Sequence, residues 1–466
     1  MQLPNRLKTP SILQKLQWII DPVKYMESAV QKYPDIFTGE VIGFGDTLVF
    51  INDPQAIKEI LTNDKKKFVA SSKENGILQP IVGDHSLMML DGEYHKQRRQ
   101  LLMPCFHGER MRAYGQLIIH LTENIFSPLP LNKPLSAHSA MQEISLQVIL
   151  QAVFGFYEGE RCQQLKYLIP NLVMELFRSP LISSFLFFRF LQQDLGSLTP
   201  WGKFLRLREQ VDELLYAEIA ERRQNLLPDR IDLLSLLMSA KDATAEGMTD
   251  PELRDELINL MVSGHETTAT AIAWGLYWIL KKPKVYERVL DELDSLGDSP
   301  DPMKIFQLPY LTAVCNETMR IYPIGIMTLP RVVQEPVEIL GHQLEPGTKV
   351  IGCIYLAHQR PDLYPQPKEF KPERFLERQF SPYEFLPFGG GARGCIGQAL
   401  ATLEIKLVLA TIISKYQMVL ADQHPEKPKR RGVVVGPGNG VKIVITGQRI
   451  RQQSPTAMVT TPNLLV

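Results

Sequence analysis

The chain has 466 residues, of which 44% are apolar and 22% charged, and its 51 basic side chains balance 51 acidic ones for a formal net charge of +0. This is the composition of an ordinary globular protein, and the neutral balance argues against nucleic acid or an anionic membrane as a partner held by bulk charge. Five cysteines, at positions 105, 162, 315, 353 and 395, are odd in number and scattered, which excludes a disulfide framework and points to a reducing, cytoplasmic setting.

Taken in order, the chain opens without the charged-then-apolar run of a signal peptide, and no stretch of about 18 apolar residues suggests a membrane span. Leu13, Leu16, Trp18, Ile19 and Ile20 form an apolar cluster that either packs on the body of the domain or rests weakly on a lipid surface. Residues 22–33 read as a short helix. Apolar runs at 41–42 and 48–51, joined by a Gly-Phe-Gly-Asp turn, read as a hairpin, and Pro54 opens a helix over 54–61. From Asp91 a further helix begins with an acidic first turn; His95 and Arg99 lie four apart and share a face, while Lys96 and Arg98 read as a solvated basic stripe. Helical patterns continue over 142–153. Residues 180–191 carry four phenylalanines and four aliphatics, too short a run to cross a bilayer and suited to a buried helix. A long charged helix follows over 201–225.

The stretch 251–282 is the longest predicted element. Thr249, Asp250, Pro251 and Glu252 supply a cap, a proline at the first position and a capping-box acid. No proline recurs until Pro283, so the helix reaches roughly 48 Å and suits one crossing a whole domain. Its middle, Ser263-Gly264-His265-Glu266-Thr267-Thr268, is poor helix material, and a threonine hydroxyl there can bond back to a carbonyl. A His-Glu-x-x-His zinc motif fails because the second histidine position is Ala269.

Helices follow over 285–295 and 311–322, the second carrying Glu317 and Arg320 three apart. Strand patterns run from 337 to 357, broken at Pro346-Gly347. The β runs 433–435 and 441–445 read as one hairpin turning at 436–440, and polar, Pro-rich residues 448–466 read as a loose tail behind a single domain of 1–447. Between these lies Phe388-Gly-Gly-Gly-Ala-Arg393-Gly-Cys395-Ile-Gly397, a loop whose five glycines suit neither helix nor strand and let the backbone approach something flat and bulky. A helix over 398–409 follows, so Cys395 sits near a helix N-terminus with Arg393 close by, a setting that favours a thiolate. Zinc would need a second ligand nearby, and a phosphate loop would need Gly-Lys-Ser/Thr after Gly397.

Phe-x-x-Gly-x-Arg-x-Cys-x-Gly resembles the haem-binding signature of the cytochrome P450 monooxygenases. The resemblance extends over roughly residues 20–446 and implies a mainly α fold with a smaller β region, the family's prism. Haem b would lie between the long helix and the cysteine loop, with Cys395 as axial thiolate and Phe388, Arg393 and Gly397 beside the porphyrin. It further implies Glu266 and Thr267 as the oxygen-activating acid and alcohol, with Gly264 letting the helix pass close above the haem. His95 and Arg99 would bind a propionate (Tyr94 and Arg98 in a register shifted by one), and Arg331 another. Glu317, Arg320 and Arg374 would form a buried ion-pair triad, and residues 180–191 would cover the substrate channel. The implied reaction is insertion of one oxygen atom of O2 into a C–H bond of an apolar substrate. Electrons would come from an external ferredoxin and its reductase, docked near Lys96 and Lys406. Similarity to cyanobacterial members favours a long-chain fatty acid, with terpene or steroid oxidation second. A haem-thiolate isomerase or dehydratase and a non-catalytic haem sensor are the other classes.

Overall fold

The computed structural model describes residues 3–449 except 45, 64–65, 73–75, 107, 109, 156–158, 178–181, 183–184, 187, 189–190, 226–231, 241–246, 423 and 433. Helices dominate, organised around Asp250–Lys281, a 32-residue helix that opens with a complete capping box: Thr249 Oγ1 accepts from the Glu252 N–H, and the Glu252 carboxylate accepts from the Thr249 N–H at 2.9 Å. Its residues from Leu253 to Tyr277 are buried apart from a break at 262–264 and 266–267. Helices covering it on several sides account for this burial. Ala137–Phe154 comes so close that a Cβ on Gly264 would stand 2.6 Å from Ile149 Cδ1, and Gln398–Lys415 places Leu409 against Gly275. Gly264 therefore admits the neighbouring helix, where the resemblance had it facing a porphyrin.

A five-stranded sheet flanks the helices, in the order Ile36–Glu40, Thr47–Ile51, Lys349–Gly352, Arg331–Val333, Phe68–Val69. The hairpin expected near 41–51 is present, with its first strand displaced to Ile36–Glu40 and pairing Ile36 with Ile51. Two β expectations are corrected. Residues Ile354–His358 are helical and buried. The runs near 434 and 443 do not pair with each other: Val434–Pro437 pairs with Pro428–Arg431, and Lys442–Gln448 lies between Tyr416–Leu420 and Pro134–Ser136. The connecting turn wraps a buried carboxylate instead, Glu426 accepting from the N–H groups of Asn439 (2.8 Å) and Val441 (3.1 Å).

The ends of the chain also differ from expectation. Trp18 is buried, while Ile12, Leu13, Leu16 and Ile20 of the Ser11–Ile20 helix stay exposed. Gln448 belongs to a strand and Arg449 pairs with Asp294 at 3.0 Å; the remainder of the expected tail, 450–466, lies outside the described residues. The 201–225 helix buries Phe204, Val211, Leu215 and Ile219 and is less solvated than its charge suggested. Among the described residues no helix is long and apolar enough to cross a membrane.

Glu317 and Arg320 sit on Pro309–Ile321 with no exposed side-chain surface. Arg320 grips Glu317 with two hydrogen bonds, Nε to Oε2 at 2.6 Å and Nη2 to Oε1 at 2.9 Å, and Arg374 Nε donates to Oε1 at 3.1 Å. Arg320 also donates to the carbonyls of His358 (2.8 Å) and Pro367 (2.9 Å), and the Lys371 N–H donates to Glu317 (2.8 Å). Removing the carboxylate leaves Arg320 buried and charged without its anion. Glu317→Ala is therefore expected to lower stability by about 3–5 kcal/mol, read as a lower denaturant midpoint.

Candidate active site

Cys395 is the one exposed cysteine; the other four are buried and serve as core. Its loop is set by backbone bonds. The Cys395 N–H donates to Phe388 O at 2.9 Å, Gly389 N–H to Leu386 O at 2.9 Å and Gly394 N–H to Gly391 O at 3.1 Å. Gly389 and Gly391 have φ of +67° and +66°, a region that penalises side chains, and this explains why the loop is glycine there. Enclosure by protein raises the thiol's pKa, opposed by the Gly397 N–H and by the charge of Arg99.

The cation beside the sulfur is Arg99, whose Nη1 donates to Gly394 O at 2.7 Å. Arg393 is turned elsewhere, donating to Leu90 O (2.6 Å), Asp91 Oδ1 (2.9 Å), Ala70 O (3.1 Å) and Leu87 O (3.2 Å). It ties the loop to the segment before Gly92–Leu102. On that helix the two possible registers are distinguished by geometry. Tyr94 is exposed, and Arg98, far from solvated, pairs with Glu252 at 2.6 Å and Glu256 at 3.5 Å on the long helix. His95 is buried, and its pKa is pushed down to about 4 by burial and by the charges of Arg393, Arg99 and Arg331, with Asp91 opposing. Arg331 is fully buried on its strand and donates to Leu329 O at 2.9 Å. The His95 imidazole thus lies in the field of three guanidinium groups, one of which, Arg99, also acts on the Cys395 thiol. This surplus of positive charge fits a flat ligand carrying two carboxylates, as haem b does.

On the long helix, Thr267 Oγ1 donates back to Ser263 O at 2.6 Å. Glu266 turns toward Ala137–Phe154, where its Oε2 accepts from Gln142 Nε2 at 2.6 Å and its Oε1 lies 3.3 Å from His138 Nε2. Burial would raise the Glu266 pKa, but the hydrogen bonds from His138 and Gln142 and the His138 charge hold it below its ordinary value. Acid and alcohol are neighbours in sequence without sharing a direction.

Two expected positions change. Lys406 is buried, its Nζ donating to Phe306 O and Thr312 Oγ1 at 2.7 Å each, so it offers no charge to a docking partner. Most of 180–191 lies outside the described residues; of the remainder, Leu186 is buried and Phe188 exposed. Sequence reasoning missed His138 and Gln142, which carry no local motif. It also missed His358, whose Nε2 accepts the Leu386 N–H at 3.0 Å just before the cysteine loop.

Residues 4–443 match the family model described as Cytochrome P450. Cytochrome P450 135B1 of Mycobacterium tuberculosis is 32% identical over 452 residues, covering 96% of this chain and 92% of its own. Cytochrome P450 138 of the same species is 30% identical, covering 96% of each chain. The solved structure of retinoic acid-bound cyanobacterial CYP120A1 superposes with a TM-score of 0.79 over 93% of this chain and 96% of that one, at 23% identity.

The depressed His95 pKa has a consequence for the haem-free protein. Its folded value lies below the unfolded value of about 6.5, so the folded state binds fewer protons between the two. Stability is fully present above pH about 6.5 and falls as the pH drops through about 4, by about 3 kcal/mol in total. His95→Gln is expected to flatten that acid limb of the apoprotein's denaturation profile.

Proposed function

The chain belongs to the cytochrome P450 family and is by membership a haem-dependent monooxygenase; from that premise we propose that it hydroxylates a long-chain fatty acid. In this reading Cys395 ligates the iron, and His95, Arg99, Arg331 and the nearby Arg393 hold or neutralise the two propionates. The observation that carries the cofactor assignment is Arg99 set beside the Cys395 thiol while Arg99, Arg331 and Arg393 converge on the buried His95 ring. When bound, the haem supplies reductive activation of O2 and the oxidant that attacks a C–H bond.

The protein's own residues supply protons, geometry and anchorage. Glu266, held ionised by His138 and Gln142, accepts and releases a proton, and the Thr267 hydroxyl, now bonded to Ser263 O, hands it on by exchanging that partner. Glu317, Arg320 and Arg374 hold the cysteine loop's support in place. Phe388 and Gly397 bracket the sulfur, one by accepting the Cys395 N–H and the other by donating toward the thiol.

An apolar substrate accords with the neutral surface charge and with Leu186 and Phe188 in the 180–191 segment. Terpene oxidation is the second reading, since retinoic acid, the ligand of the structural neighbour, joins an isoprenoid skeleton to a carboxylate. Electrons come from outside the chain, in our reading from a ferredoxin and its reductase in the cytoplasm. With Lys406 buried, Lys96 remains the exposed cation of the two first considered, already paired with Glu93 at 2.8 Å.

Spectral titration of the holoprotein with fatty acids and terpenes tests the substrate class: a shift of the Soret band with fatty acids is expected, and response to terpenes alone would replace the first reading by the second. Cys395→Ser is expected to abolish the red-shifted Soret band of the reduced carbonyl complex. Thr267→Ala is expected to retain haem but to divert most reducing equivalents to peroxide, measured as peroxide formed per reduced nicotinamide consumed.

A further inference from the structure

We propose that the protons used in turnover enter through a cavity beside the Ala137–Phe154 helix and reach Glu266 by way of His138. The inference rests on the reading of Glu266 as the proton-donating acid. It begins from direction. Successive residues on a helix point about 100° apart, and Glu266 uses that angle to face away from Thr267. Both of its carboxylate oxygens are engaged by the neighbouring helix, through His138 and Gln142. His138 Nε2 is also 3.2 Å from Thr270 Oγ1, one turn along the long helix, so the same ring nitrogen reaches both residues.

Behind His138 lies a cavity of about 610 Å³ that both His138 and Gln142 help to line. Its floor carries two buried imidazoles, His138 and His265, and its rim carries exposed Ser139, Glu143 and Asn439. His265 Nε2 is buried and has no hydrogen-bond partner among the described residues. A polar cavity of this size with an unsatisfied ring nitrogen in its wall is a place for ordered water. Bulk solvent therefore comes within one side chain of Glu266 from the side opposite its alcohol partner. The titratable groups facing the carboxylate are His138 and His265, while Glu143, Lys166 and Arg431 stand further along the cavity wall.

The step balances without any electron moving. A proton from bulk water in the cavity adds to the His138 ring, the ring's Nε2 proton passes to Glu266 Oε1, and the carboxyl group releases a proton inward. Imidazole and carboxylate are then restored to their starting charges, and a proton shift from Nδ1 to Nε2 through water in the cavity returns the ring to its starting tautomer. His138 is a positioning residue that acts through Glu266; it touches neither substrate nor cofactor in this account.

The test uses the holoenzyme and four variants. His138→Leu removes the donor to Glu266, and the infrared spectrum is expected to gain a protonated-carboxyl C=O band at a pH where the wild type has none. That band should vanish in the His138→Leu, Glu266→Gln double variant. Its absence from His138→Leu would overturn the coupling between the two groups, independently of any activity. His138→Gln keeps a hydrogen-bond donor but cannot relay a proton. It is expected to lose several-fold in product formed per O2 consumed and to show a larger solvent deuterium effect. A merely structural histidine would be rescued by glutamine, so wild-type coupling in His138→Gln beside an uncoupled Glu266→Gln overturns the inlet alone. Wild-type coupling in both overturns the acid role on which it rests.

Discussion

A guanidinium group without exposed surface, that of Arg320, is the fastening on which the site depends. It is bonded to Glu317 on its own helix and to the His358 carbonyl on another segment. The His358 ring in turn accepts the N–H of Leu386, two residues before Phe388, whose carbonyl fixes the Cys395 N–H. Burial and the nearby Arg320 charge push the His358 pKa down to about 3, which keeps the ring an acceptor at any ordinary pH. A glycine-rich loop has little rigidity of its own; this line of bonds supplies it from outside. Such a buried pair adds little net stability, because desolvating two charges cancels most of their attraction. Its contribution is placement, which a metal-ligating thiol requires more than strength.

The second constraint is charge. Around His95 the protein gathers three guanidinium groups against one carboxylate, Asp91, which also pairs with Arg393. In the isolated chain enclosure raises the thiol's pKa, opposed by the Gly397 N–H and the charge of Arg99. A coordinating metal ion reverses that balance, since it deprotonates a bound thiol outright. On the haem reading proposed above, these cations would answer the carboxylates of the cofactor, with Arg99 also acting on the thiol.

Much of this was legible in the sequence because it is local. The capping box at Thr249 and Glu252, the glycines at 389 and 391 and the i, i+3 spacing of Glu317 and Arg320 state their geometry within a few residues. That Arg98 is tied to the long helix needed the fold, because Glu252 and Glu256 lie against it across more than 150 positions, as its 154-residue separation from Glu252 shows. Gly264 misled for the same reason: close approach was legible, but the approaching partner was Ile149 and not a cofactor. Lys406 read as a surface charge because its acceptors, Phe306 O and Thr312 Oγ1, lie about a hundred residues away.

The central helix therefore acts as a partition as much as a platform. One residue, Thr267, turns its hydroxyl along the helix to Ser263 O, while its predecessor engages the wall of a water-accessible cavity through His138 and Gln142. An acid in direct contact with its alcohol would exchange protons with it, but both would then need a second path to solvent. Offsetting the two by one residue gives each face of the helix a separate task. The surface toward the cavity presents His138 and Gln142. Gly264 makes the offset feasible, because only a residue without Cβ lets Ala137–Phe154 come near enough for His138 and Gln142 to reach across. The small residue at 264 and the direction of Glu266 are thus two consequences of one helix–helix approach.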